Sequence, residues 1–131
     1  MSFELATKLA ALGLGASLLG ACSGGGSSDD TPSTPLNNAP TASNVVINDD
    51  NGGSILVGDI LTGIYSYTDS ESDSEGTSVY RWLRNDIAID GATDSSYTLI
   101  ATDIGQSIRF EITPIAETNT TTGTVTISDP V

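Results

Sequence analysis

The chain has 131 residues and, with 17 Asp and Glu against 4 Lys and Arg, a formal charge of −13; that leaves room for one ordinary domain and repels the phosphates of nucleic acid, so DNA and RNA are excluded as partners. Histidine is absent, Cys22 is the one cysteine and Lys8 the one lysine. No intramolecular disulfide, no zinc site of His and Cys ligands and no Ser-His-Asp, Cys-His or Ser-Lys nucleophile can then be assembled once the leading segment is removed.

Residues 1–21 place Lys8 before an apolar run from Leu9 to Leu19. The run is shorter than the ~20 residues of a membrane span and has the build of a secretory signal. It closes on Leu19-Gly20-Ala21-Cys22, which resembles the lipobox of bacterial lipoproteins, where a Leu and two small residues precede an acylated cysteine. The resemblance implies that residues 1–21 are cleaved and that Cys22 becomes the first residue, carrying diacylglycerol and, in most Gram-negative bacteria, an N-linked acyl chain such as palmitate. At about 0.8 kcal/mol per buried CH₂, two or three such chains anchor a protein to a membrane far better than one. Ser23 stands where inner-membrane retention calls for Asp, which implies the outer membrane.

Residues 22–40 follow as a Gly/Ser-rich and then Pro-rich stretch with almost no apolar side chains. Such a composition does not offset the entropy of ordering, so the stretch is expected to be a disordered tether holding the domain roughly 20–25 Å from the membrane.

Over 41–131 short runs of Val, Ile, Thr and Tyr alternate with clusters of Asp, Asn, Gly and Ser, without a sustained helical period. Strands are predicted near 43–48, 60–68, 77–84, 87–89, 95–100, 107–114 and 122–128, separated by turn-forming clusters. The fold class is all-β, and seven strands in this length suit a Greek-key β-sandwich. Period-two alternation nominates the buried faces: Leu61, Tyr65 and Tyr67; Tyr80 and Trp82; Ile108, Phe110 and Ile112; Val125 and Ile127. Gly63 falls where a side chain would crowd the facing sheet. Tyr80, Trp82 and Phe110 are the expected packing centre, and truncating Trp82 to Ala should cost about 3–5 kcal/mol.

Leu61-Thr62-Gly63, Tyr65, Tyr67, the acidic stretch to Gly76, Tyr80-Arg81-Trp82, Gly91-Ala92, Ser96-Tyr97-Thr98-Leu99, Asp103-x-Gly105 and Phe110-Glu111-Ile112 together resemble a bacterial immunoglobulin-like repeat. The resemblance covers nearly all of 39–131. It implies an immunoglobulin-like sandwich used as a spacer or accessory binding module in secreted and surface proteins.

Asp69, Glu71, Asp73 and Glu75 put carboxylates at every second position of one loop. They form a candidate Ca²⁺ site, with Glu117 brought near by the neighbouring loop, against the alternative of a solvated, charged turn. The twelve-residue spacing of an EF-hand is not met, since Tyr80 stands at its last position. Arg81 and Arg109 fall on outward faces, where pairing with Glu111 across strands is expected. Carboxylate pairs alone would suffice for glycoside hydrolysis, but these acids sit in turns, and no catalytic residues are assigned. The expected function is therefore non-enzymatic: an outer-membrane-anchored binding or adhesion module whose partner is an envelope protein or a polysaccharide. The alternatives are a structural spacer, a fragment of a longer multi-repeat surface protein, and an accessory carbohydrate-binding module.

Overall fold

The computed structural model describes residues 36–119 and 121–131. The expected signal segment, Cys22 and most of the tether lie outside the described residues. Seven strands form two antiparallel sheets: β1 (Thr41–Asp49), β2 (Ile60–Thr68), β3 (Val79–Arg84), β4 (Ile87–Ala88), β5 (Ser96–Thr98), β6 (Ile108–Thr113) and β7 (Thr126–Ile127). One sheet has the order β1-β2-β5 and the other β4-β3-β6-β7. The only helical piece among the described residues is a 3-10 turn at Ala101–Asp103. The chain is an all-β sandwich.

Alternation sets the interior. Leu61 and Gly63 of β2, Trp82 of β3 and Ile108, Phe110 and Ile112 of β6 are buried, joined by Ala42 and Leu99. Tyr65 and Tyr80 pack against this cluster half-buried. Five of the chain's seven aromatic residues make one continuous stack, Tyr97 on Trp82 (ring centroids 5.7 Å), Trp82 on Phe110 (5.1 Å), Phe110 on Tyr80 (5.7 Å) and Tyr80 on Tyr65 (6.1 Å). Their offset and tilted pairings are the favourable ones for rings whose faces are negative and edges positive. The Trp82 indole N–H, which would be costly to bury unpaired, donates to the Asp94 carbonyl at 3.0 Å.

Gly63 is needed by this stack. It lies opposite Ile47 of β1, and a Cβ built on it would run into the Phe110 ring of the facing sheet.

The last strand differs from its expected facing. Val125 and Ile127 are exposed, whereas Ser128 is buried. Residues directly opposite in a sheet share a face: Thr126 sits opposite the interior Ile112, and Ile127 opposite the outward Glu111. The inward position at the next step is Ser128, whose hydroxyl accepts the Phe110 N–H (3.0 Å) while its own N–H donates to the Phe110 carbonyl (2.9 Å). A polar residue is retained inside because it completes the pairing of β6.

The strand directions give the sandwich two distinct ends. One end gathers residues 36–40, the 69–78 loop between β2 and β3, and the 114–125 segment between β6 and β7. The other gathers the 50–59 loop, the 85–86 turn, the 99–107 loop and Val131, whose N–H and carbonyl both pair with Ile108 (3.0 and 3.1 Å). Residues 41 and 131 therefore stand at opposite ends.

Candidate functional site

At the first end, the acidic loop is tied down by its own chain. Asp69 Oδ1 accepts the N–H groups of Glu71 (2.9 Å) and Asp73 (3.1 Å), closing an Asx-type turn. The Glu71 carboxylate accepts the Asn38 side-chain amide at 2.6 Å and the Asn38 N–H at 3.1 Å. Hydrogen bonds from Ser70 and Asn38 hold the Glu71 carboxyl below the usual carboxylate range. Asn37 donates to the Thr121 hydroxyl (3.2 Å), which in turn reaches the Asn38 carbonyl (3.3 Å), and Pro40 is fully buried. The tether expected to run free to residue 40 is thus docked from Asn37 onward: side-chain amides find long-range partners that local composition does not reveal.

Glu75 faces the interior of the same end. Its Oε1 accepts the Tyr65 hydroxyl at 2.6 Å and the Ser78 hydroxyl, and Tyr65 also meets the Tyr80 hydroxyl at 2.8 Å. With the Tyr65 proton committed to Glu75, Tyr80 is the donor of that last bond. Burial, then the Glu75 carboxylate beside it, pushes the Tyr65 phenol well up from its ordinary value. Backbone bonds from Gly76 N–H to the Ile115 carbonyl (2.8 Å) and from Glu117 N–H to the Ser74 carbonyl (2.9 Å) join the two loops. The backbone of Glu117 thereby lies against the acidic loop.

The four candidate calcium ligands do not converge. Glu71 points to Asn38 and Glu75 to the tyrosines, while Asp69 and Asp73 each keep one carboxylate oxygen buried without a hydrogen-bond partner. Among the described residues no group of three acidic, His or Cys side chains is arranged to hold a metal ion. Calcium takes six to eight oxygens, and these side chains gather no such set.

The second cluster lies under the opposite end and was not legible as a site from the sequence, where Asp103 enters only within the Asp103-x-Gly105 stretch of the immunoglobulin-like resemblance. Asp103 is 1% exposed, yet every lone pair aimed inward is used. Oδ1 accepts Arg84 Nε (2.6 Å) within an ion pair, and Oδ2 accepts the Tyr97 hydroxyl (2.8 Å) and the Ile100 N–H (2.8 Å). The last bond is half of a capping box at the start of the 3-10 turn. Burial alone would raise the Asp103 carboxyl, but the donors from Ile100, Tyr97 and Arg84 outweigh it and hold the carboxyl below its ordinary value. Trp82 stacks on the Tyr97 ring of this cluster, so the charge network and the aromatic stack are mechanically one.

All three arginines are spent in such pairs: Arg81 with Glu111, Arg84 with Asp103 and Arg109 with Asp86. The domain thus offers an anion no unpaired cation. Above the Asp103 cluster, the Gly58 N–H donates to the Leu99 carbonyl and the Leu99 N–H to the Asp59 carbonyl (both 2.9 Å), binding two loops together. These loops carry Leu56, Val57, Ile100 and Ile104, exposed by 61, 59, 50 and 41%. At the first end, an open concavity of about 380 Å³ is lined by Glu75, Gly76, Thr77, Ile115, Ala116 and Glu117.

Fold and sites together define an acidic β-sandwich in which one end carries the 69–78 acidic loop and the other two joined loops with four exposed aliphatic side chains. Comparison with protein families, with curated proteins and with solved structures gives no match.

Proposed function

We propose that the chain is an envelope-anchored contact module: an immunoglobulin-like Greek-key sandwich, lipid-anchored through Cys22 to the outer membrane, that acts by binding or adhesion and not by catalysis. Its strand order supports the immunoglobulin-like reading: as in such sandwiches, the first, second and fifth strands share one sheet and the third, sixth and seventh the other, while the fourth lies here at the edge of the second sheet. The observation that carries the functional reading is the difference between the two ends. The polypeptide arrives at the acidic end, fixed there by Asn37, Asn38 and Pro40, and the aliphatic loops lie at the other. Adjoining exposed aliphatics on an otherwise acidic domain mark a surface for contact with a partner. With its arginines already paired, that partner is uncharged or basic, which favours an envelope protein or a neutral polysaccharide.

Two measurements test this. Metabolic palmitate labelling should mark the chain and be lost in Cys22→Ser; labelling that persists, or never occurs, removes the anchor. Binding to isolated envelope fractions should fall in Val57→Asp and Ile100→Asp without loss of fold. Binding unchanged in both variants would move the contact elsewhere.

A second reading, a spacer within a multi-repeat surface protein, is favoured by the placement of Asn37 and Val131 at opposite ends. That geometry lets successive sandwiches stack head to tail.

A further inference from the structure

We propose that Asn51 is a site of self-modification, in which the backbone nitrogen of Gly52 attacks the Asn51 side-chain amide and converts the residue to aspartate and isoaspartate. Of the chain's seven asparagines, Asn51 alone precedes a glycine. The reaction needs a backbone nitrogen that can swing onto Cγ, a carbonyl carbon made electrophilic, and a leaving nitrogen that nothing retains. The 50–59 loop supplies each of these.

Gly52 is exposed, adopts a φ of +68°, and has nothing within 4 Å of where a Cβ would stand. No hydrogen bond holds its N–H among the described residues. Asn51 itself is fixed at two points. Its backbone N–H donates to Asp49 Oδ1 at 3.0 Å, and its Oδ1 accepts the Ile60 N–H at 3.0 Å. The second bond polarises the side-chain carbonyl and is placed to stabilise negative charge developing on that oxygen during attack, as an oxyanion donor does. The Nδ2 group has no partner among the described residues, so departure breaks no protein contact.

The atoms balance without any co-reactant but water. A bond forms between Gly52 N and Asn51 Cγ; the Cγ–Nδ2 bond breaks, and Nδ2 leaves as ammonia with the proton given up by Gly52 N. Water then opens the five-membered succinimide. Cleavage on one side gives aspartate. Cleavage on the other gives isoaspartate, with the main chain rerouted through the side chain and longer by one methylene. Either product adds one negative charge beside Asp49 and Asp50. Aspartate can still accept the Ile60 N–H, whereas the lengthened backbone of isoaspartate cannot keep both the Asp49 and the Ile60 contacts. The modification therefore loosens the loop that carries Leu56 and Val57.

The test is incubation of the folded full chain in mildly alkaline buffer, sampled over time by peptide mapping with mass spectrometry, with circular dichroism confirming that the fold persists. The peptide containing Asn51 should gain the mass of an amide-to-acid conversion and split into two chromatographic species, while peptides holding the other six asparagines stay unchanged. Gly52→Ala should slow conversion by roughly tenfold or more, because a Cβ obstructs the approach geometry. Since a positive φ strains alanine, Asn51→Gln supplies a second variant that keeps the turn glycine, and it should show no conversion. An Asn51 amide that stays intact in the folded chain, or a Gly52→Ala variant that converts as fast as the parent, overturns the proposal.

Discussion

Replacing Asp103 with Ala isolates the buried ion cluster as a source of stability. The substitution removes the acceptor for the Ile100 N–H and the Tyr97 hydroxyl, both at 2.8 Å, and the counter-charge of Arg84, all from a position 1% exposed. Breaking a buried pair by deleting one partner costs about 3–5 kcal/mol, a large part of the ~5–15 kcal/mol margin of a whole domain. At roughly 4–8 °C per kcal/mol for a domain near this size, the melting temperature should fall by about 12–40 °C. Asp103→Asn keeps the volume but turns an amide donor toward donors, and should lose about 1.5–3 kcal/mol. The assay is urea and thermal unfolding followed by near-ultraviolet circular dichroism, which reads the Trp82–Tyr97 stack directly. The pH dependence gives an independent check. A carboxyl held below its unfolded value of about 3.9 contributes stability that is present above that pH and drains away as pH falls through the lower folded value. The parent should therefore lose stability more steeply below about pH 4 than Asp103→Asn does. An Ala variant melting within about 3 °C of the parent, with the same acid profile, would refute the assignment.

Gly63→Ala drives a methyl group into the Phe110 ring and should cost at least about 1–3 kcal/mol, read as a lower urea midpoint with an unchanged slope. Ser128→Ala strands the buried Phe110 N–H and should cost about 1–3 kcal/mol in the same measurement, with Ser128→Thr recovering part of it if the hydroxyl is what matters. Calorimetry with CaCl₂ should show no saturable heat below the ~10⁻⁴–10⁻³ M range of weak extracellular calcium modules, because Glu71 and Glu75 already serve Asn38 and Tyr65. A sub-millimolar transition would mean that Asp69 and Asp73 recruit both back. At the alkaline side, burial and neighbouring carboxylates raise the Tyr65 and Tyr97 phenols, so the stability they contribute is whole below about pH 10 and is lost above it.

What the residues disclosed in advance was local. Strand β2 runs over 60–68 as its alternation indicates, and the gap at Gly63 could be inferred because period two fixes which residues share its face. The register of the last strand could not. Val125 and Ile127 read as an inward pair on hydrophobicity, yet pairing with β6 turns Thr126 and Ser128 inward instead. Strand lengths were overestimated at 77–78 and 122–125: the neighbouring Glu75 forms an isolated bridge to Ala116, and Thr122 one to Ile115, in place of continued ladders. The Asp103 cluster joins Arg84, Tyr97 and Ile100 from three separate segments. The one trace in the sequence was an acidic residue three positions after Ile100, the spacing of an N-terminal cap. Docking of Asn37 and Asn38 escaped for the same reason, since their partners lie more than thirty residues away.

The placement of residues 37 and 131 at opposite ends of the sandwich also fixes how the domain bears load. A pull between Asn37 and Val131 acts along the axes of β1 and of the segment paired with β6, so it strains their rungs together in shear and does not peel them one at a time. Rupture then requires many backbone bonds to fail at once.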